Sequence, residues 1–247
     1  MNSKDDLSNH LKLLKDSDKD LRASAARAIA MMASQGITDE AALGPLIGLL
    51  EDSNANVRQW AAYAISRMAY NNIISKDALP HLIRLLEDDN EEVRKWATSA
   101  IGRMASKGVT SEDALPPLVK LLEDNDQEVR RWAAHAVGQM ASKGVTSEDA
   151  LPPLIKLLED DNDKIRDNAG YAVLRLTSKG ITSIAVLPPL INLLKDENGG
   201  IRERAAYTIG RMASKGITSE DALPPLIKLL EDNDQEVRRW AAHAVGQ

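Results

Sequence analysis

The sequence has no cysteine and no phenylalanine, and aromatics make up only 3% of its 247 residues. The missing cysteine excludes a disulfide framework, a thiolate metal site and a cysteine nucleophile. The missing phenylalanine leaves a core of Leu, Ile, Val, Met and Ala, which suits closely packed helices. No apolar run approaches the ~20 residues that span a bilayer. The opening segment MNSKDDLSNHLKLL carries no apolar signal region. A soluble, unsecreted, cytoplasmic chain without a membrane partner is therefore expected. The net charge of −6 argues against a generic nucleic-acid binder.

What is present is a repeat. Leu7, Leu43, Leu79, Leu115, Leu151, Leu187 and Leu223 open the same pattern every 36 residues, without insertion or deletion. The fourth unit reads LPPLVKLLEDNDQEVRRWAAHAVGQMASKGVTSEDA. A fixed period of this length predicts a stacked solenoid in which each unit buries its apolar face against its neighbours. The expected fold is all-α: a right-handed α-solenoid of about seven helical-hairpin repeats, forming one domain over residues 1–247.

Each unit reads as a hairpin. Leu115, Leu118, Leu121 and Leu122 recur at helical spacing and mark the buried stripe of a first helix. Pro116 and Pro117 fit only near its start, because proline cannot donate a backbone hydrogen bond. Thr110-Ser111-Glu112-Asp113 reads as a cap or a short extra turn. Glu123-Asp124-Asn125-Asp126 breaks the pattern, and a second helix follows from about Glu128 to Ala141, with Val129, Ala133, Ala136, Val137 and Met140 on one face. Gly36, Gly108, Gly144, Gly180 and Gly216 stand where a left-handed residue would end it.

An Asp/Arg pair recurs at a spacing of six in every unit, from Asp16/Arg22 through Asp124/Arg130 to Asp232/Arg238. The guanidinium is expected to reach back across the turn, to its own Asp or to that of a neighbouring unit. Identity in all seven units marks the pair as framework, since a recognition site rarely needs to be the same in every repeat. The column of Met32, Met68, Met104, Met140 and Met212, with Leu176 in place of one Met, lies on the buried stripe. It reads as core filler, not a metal site.

Proline early in the first helix, Asp after it and Val-Arg six residues on resemble the HEAT repeat. The string ALPPLVKLLEDNDQEVRRWAAHAVGQMAS is also similar to an armadillo repeat. Both resemblances cover the whole chain and imply an interaction scaffold. Armadillo units hold extended peptides with Trp and Asn ladders, and this sequence departs from that pattern. The Trp-equivalent positions hold Arg27, Tyr63, Ser99, His135, Tyr171, Tyr207 and His243. The Asn-equivalent positions hold Met31, Arg67, Arg103, Gln139, Arg175, Arg211 and Gln247. Backbone clamping by Asn is therefore not implied.

At about 100° per residue, Arg131, His135 and Gln139 fall away from the core stripe and Trp132 falls on its boundary. Second helices commonly line the concave side of such stacks, and these are the columns that vary. The candidate partner-binding groove comprises Trp60, Trp96, Trp132, Trp240, Tyr63, Tyr171, Tyr207, His135, Arg67, Arg103, Arg131, Arg175, Arg211 and Lys95. Across the four columns nine cations (with Arg27, Arg204 and Arg239) face two anions, Asp167 and Glu203. Segregated charge of this kind focuses positive potential in a groove. Aromatic and Arg side chains are the usual anchors of interfaces. The competing reading is a solvated helical face, with the Trp column sealing one repeat against the next.

No convergent Ser-His-Asp, paired-carboxylate or His-cluster spacing appears, and there is no Gly-rich phosphate loop. DNA glycosylases and bilin lyases use similar scaffolds, yet no residue here singles out either. A non-enzymatic scaffold without cofactor or metal is expected. It would bind an acidic peptide or protein along the groove, mainly over repeats two to four. The alternatives are a nucleic-acid or polyanion binder, and an engineered or structural array without a natural ligand. Residues 223–247 repeat 115–139 with one change, Ile227 for Val119, so recent duplication and engineering both fit. Ser8-Asn9-His10 makes the first unit a polar cap. The last unit stops short of its Met and Gly. Leu226, Ile227, Ala241 and Val245 are expected to be exposed there and to support end-to-end self-association.

Overall fold

The computed structural model describes residues 3–247, with side chains from residue 6 onward. All described elements are helical, and they form two compact units that divide between Leu121 and Leu122. In the first unit the order is α1 (Ser3–Leu13), α2 (Lys19–Ser34), α3 (Leu43–Leu49), α4 (Ala55–Tyr70), α5 (Ala78–Leu85), α6 (Glu91–Ser106) and α7 (Leu115–Leu121). In the second it is α8 (Gln127–Ser142), α9 (Leu151–Leu157), α10 (Asp163–Ser178), α11 (Leu187–Leu193), α12 (Gly199–Ala213), α13 (Leu223–Lys228) and α14 (Gln235–Val245).

Local chemistry sets these boundaries. Ser111 caps a single 3-10 turn, Glu112–Ala114, by accepting from the Asp113 amide. The same turn recurs at Glu148–Ala150 and Glu220–Ala222. The first helix then starts at the leucine before the proline pair and ends within two turns. Asx side chains open the long second helices: Asn54 accepts from the Asn56 and Val57 amides, and Asp126 from Val129. A left-handed residue closes them, glycine at Gly36, Gly108, Gly144, Gly180 and Gly216, and Asn72 with φ 66° in the second repeat. These turns lie where the sequence places them.

The core is aliphatic. Leu46, Leu82, Leu118 and Leu154 from first helices and Val57, Val93, Val129 and Ile165 from second helices are fully buried. Each such side chain contributes about 1.5–3 kcal/mol on leaving water. Met68, Met104, Met140 and Met212 are buried in the same layer, as is Leu176. Within each unit the second helices pack directly on one another, α2 on α4 on α6 and α8 on α10 on α12 on α14. Alanines permit this approach, with Ala61, Ala62, Ala97, Ala133, Ala134, Ala169, Ala205 and Ala241 essentially inaccessible.

Of the two partners expected for the Asp/Arg ladder, the structure selects the carboxylate of the neighbouring repeat. Arg22 donates from Nη1 to the carbonyl oxygens of Asp16 and Ser17, at 2.9 Å each, and not to the Asp16 carboxylate. Its Nε donates to the Asp52 carboxylate of the next repeat at 2.7 Å. Arg58–Asp88, Arg166–Asp196 and Arg202–Asp232 repeat the geometry at 2.7, 2.8 and 2.8 Å. Each carboxylate also accepts the amide two residues on, as Asp52 does from Asn54. Burial pushes the Asp52 carboxyl up. The Arg22 hydrogen bond, the Asn54 amide and the charges of Arg22 and Arg58 outweigh it and hold the carboxyl below the ordinary range. At Asp232 the Arg202 hydrogen bond is the largest influence, and it lowers the carboxyl against burial.

The last repeat differs from expectation. Leu226 and Ala241 are buried at 2% and 0% exposure, with α13 packed on α14 and α14 on α12, whereas Ile227 is 54% exposed together with Leu223 and Leu230. A helical hairpin covers its own inward stripe, so only the outward residues remain open.

Candidate binding surface on the second helices

In the first unit, α4 and α6 bring three aromatic rings into one row. Trp60 meets Tyr63 edge-on at 5.8 Å, one turn along the same helix. Tyr63 meets Trp96 of the next repeat at 4.2 Å and 45°. Arg27 from α2 lies 5.2 Å from the Trp60 ring centroid, and Lys95 lies 5.0 Å from that of Trp96. All three rings are half-buried. Each therefore seals a repeat junction with one side and keeps another accessible. At the end of α4, Arg67 and Arg103 both stack on Tyr70, at 5.2 and 4.9 Å from its centroid.

The second unit carries its own set. Arg131 lies 4.5 Å from the Trp132 ring, and Trp132 meets His135 edge-on at 5.5 Å. Tyr171 is flanked by Arg175 at 4.8 Å and Arg204 at 5.8 Å. Tyr207 packs on Trp240 at 4.2 Å, and Trp240 meets His243 at 5.8 Å. The Tyr207–Trp240 geometry repeats that of Tyr63–Trp96, because both follow from a tyrosine one turn after the tryptophan position of the preceding helix.

The cations are less available than their columns suggest. Glu128, one turn before Arg131, accepts from its Nε at 3.1 Å and from its Nη2 at 2.6 Å. Glu92 pairs with Lys95 and accepts from the Trp96 indole at 3.2 Å. Glu236 pairs with Arg239 at 3.2 Å. Arg204 bonds both the carbonyl, at 2.8 Å, and the carboxylate of Asp167 in the preceding repeat. Pairs at i,i+3 lie on one helix face, so a count along single columns overlooks them. Among the described residues Arg27, Arg67, Arg175 and Arg211 form no ion pair, and the Nε atoms of Arg67 and Arg211 are buried without a hydrogen-bond partner.

Two positions sit differently from the sequence reading. Ser99 occupies a groove column, yet it is fully buried and shares a 2.9 Å hydrogen bond with Ser66, because its short side chain lets two second helices close over it. Tyr70 is 60% exposed and central to the Arg67–Arg103 cluster. The sequence reading missed it. The signal was available: Ser34, Ser106, Ser142, Ser178 and Ser214 fill the equivalent position in five other repeats.

The sequence matches the family described as HEAT repeats over residues 8–102, 79–175 and 181–247. The chain belongs to the HEAT-repeat family. Armadillo-like solenoids share its architecture. An engineered protein whose crystal structure is known is similar at 27% identity and a TM-score of 0.80, covering 99% of this chain and 67% of that one. A designed armadillo repeat protein in complex with the peptide (KR)4 is similar at 28% identity and a TM-score of 0.64, covering 97% and 98%. Computationally designed armadillo repeat proteins for modular peptide recognition include one at 28% identity and a TM-score of 0.59, with the same coverage. A comparison with curated proteins found no match. HEAT and armadillo folds are generally non-catalytic interaction scaffolds. No described helix of this HEAT-repeat chain is long and apolar enough to cross a membrane.

Proposed function

We propose that this HEAT-repeat chain is a non-enzymatic scaffold that binds an acidic peptide or protein segment across the exposed face of its second helices. The observation that carries the reading is the row Arg27, Trp60, Tyr63, Trp96 in the first unit. It combines half-open aromatic surface with a guanidinium that forms no ion pair. Rigid aromatics supply contact area at low entropic cost, and Arg selects planar anions such as carboxylates. In the second unit Tyr171 with Arg175, and Tyr207 with Trp240, offer smaller versions of the same surface.

The designed relative bound to (KR)4 supports a peptide as the class of partner. A basic peptide would meet like charge here at Arg27, Arg67, Arg175 and Arg211, so the sign of the partner reverses. A nucleic acid makes a different demand, since it needs many phosphate contacts and a steep salt dependence. Four of the nine cations on this face are already bound to carboxylates. Titration of the chain with an acidic peptide, a basic peptide and double-stranded DNA tests the reading. Binding of the acidic peptide alone is expected. A preference for the basic peptide or for DNA would overturn it.

A further inference from the structure

The second repeat departs from the others at three consecutive positions. Where other repeats end their second helix in Ser-Lys-Gly or Ser-Gln-Gly, this one has Tyr70-Asn71-Asn72. The two asparagines keep the local structure of other repeats, as Lys215 ties to the Thr177 carbonyl where Asn71 ties to Ala33, and the tyrosine alters the surface. The Asn71 side chain donates to the Ala33 carbonyl at 2.6 Å, tying the end of α4 to the end of α2. Asn72 takes the positive-φ position with a Cβ attached, which is a narrower choice than glycine. Tyr70 projects into solvent, and the guanidiniums of Arg67 and Arg103 both stack on its ring.

Two like charges on one ring are attracted by its quadrupole, but the ring does not neutralise them. Arg67 reaches no carboxylate among the described residues. Its Nε is shielded without an acceptor. Partial burial weakens solvent screening of this charge. The cluster is thus held in place, cationic and uncompensated at Arg67. It lies on the helices that carry the Trp60–Tyr63–Trp96 row.

We infer that Arg67 and Tyr70, with Arg103 alongside, form an anchor that fixes the register of a bound acidic peptide by taking one of its Asp or Glu carboxylates. The inference rests on the scaffold reading above and deepens it, because it names the position where one peptide side chain is selected. Tyr70 acts as the platform that holds the planar Arg67 guanidinium in position, and Arg67 supplies the paired N–H donors. Apolar side chains of the same peptide lie on the aromatic row.

The test uses a fluorescein-labelled peptide of alternating glutamate and leucine, with its glutamine–leucine counterpart as the neutral control. Tyr70→Ser restores the residue found in five other repeats, so the fold is retained, and circular dichroism and melting should match the unaltered chain. Glutamate–leucine binding is expected to weaken about tenfold in Tyr70→Ser and in Arg67→Gln. Arg67→Lys should fall between, since it keeps the charge and loses the planar stack. The glutamine–leucine peptide should bind weakly and equally to all variants. If Tyr70→Ser binds like the unaltered chain while Trp96→Ala does not, the anchor is overturned and the scaffold reading stands. If Tyr70→Ser, Arg67→Gln and Trp96→Ala all bind like the unaltered chain, or if that chain binds neither peptide, both are overturned.

Discussion

Arg58 joins two repeats through a single guanidinium. Its Nε donates to the Asp88 carboxylate, 30 residues ahead, at 2.7 Å, and its Nη1 donates to the carbonyl oxygen of Asp52, six residues behind, at 2.8 Å. The carboxylate that Arg22, Arg58, Arg130, Arg166 and Arg202 each bind thus belongs to the next repeat, and the Asp six residues before accepts from it only through its backbone carbonyl. Side-chain exposures of 18% and 7% place this pair between surface and buried ion pairs. Asp88→Ala is expected to cost about 1–3 kcal/mol, because it orphans both Arg58 Nε and the Asn90 amide. In double-mutant cycles by urea unfolding, Arg58 should couple more strongly to Asp88 than to Asp52. Equal couplings would contradict the inter-repeat assignment.

Acid should attack the same ladder. The Asp52 and Asp232 carboxyls are held below their ordinary value of 3.8. A depressed carboxylate contributes stability that is fully present above its unfolded value and is lost as pH falls through the folded one. Stability should therefore decline below about pH 4. The Asp52→Asn, Asp232→Asn double variant should be less stable at neutral pH and show a flatter acid limb in thermal melts. A parallel acid limb would show that these two groups do not set it.

Close approach of second helices makes Gly138 sensitive. A Cβ there would lie 2.6 Å from a Tyr171 ring carbon and 3.2 Å from the Ala172 Cα. Gly138→Ala should cost about 1–3 kcal/mol by overpacking and displace the Tyr171 ring from Arg175. Gly48→Ala, on the exposed side of α3, meets nothing within 4 Å and serves as the control. Its melting temperature should stay the same or rise, as helix propensity favours Ala. Matching melts for Gly138→Ala and the unaltered chain would refute the packing argument.

Much of this architecture is legible in the sequence, because it rests on local chemistry. The Leu7-through-Leu223 period is plain in the chain, and the Ser111 cap and the glycine closures such as Gly108 act within a few residues. The ladder is legible as a pattern and not as a pairing. Whether Arg22 meets Asp16 or Asp52 depends on how far apart two repeats stack. Leu226 and Ala241 were expected to be open, and their own hairpin covers them. On the candidate surface, the cation columns were visible, while neutralisation by Glu92 and Glu128 depends on neighbouring columns and side-chain reach. Tyr70 stood out only as the one aromatic in a column of serines.

Those glutamates give a further prediction. Glu92→Gln and Glu128→Gln release Lys95 and Arg131 from their intrahelical partners without changing side-chain size. Affinity for an acidic peptide should rise about two- to fivefold at low salt and converge with the unaltered chain at high salt. A drop in affinity would mean that Glu92 matters more as the hydrogen-bond acceptor that orients the Trp96 indole.

The aromatic and Arg face of the second helices is proposed to bind an acidic partner. Calorimetric titration of Trp96→Ala, Arg67→Ala and the unaltered chain with a glutamate–leucine peptide, repeated at low and physiological salt, tests it most directly. The unaltered chain should bind, each substitution should weaken binding by at least about fivefold with melting behaviour retained, and salt should weaken what remains. Binding that both substitutions leave unchanged at either salt concentration would place the partner elsewhere and rule out this face as its site.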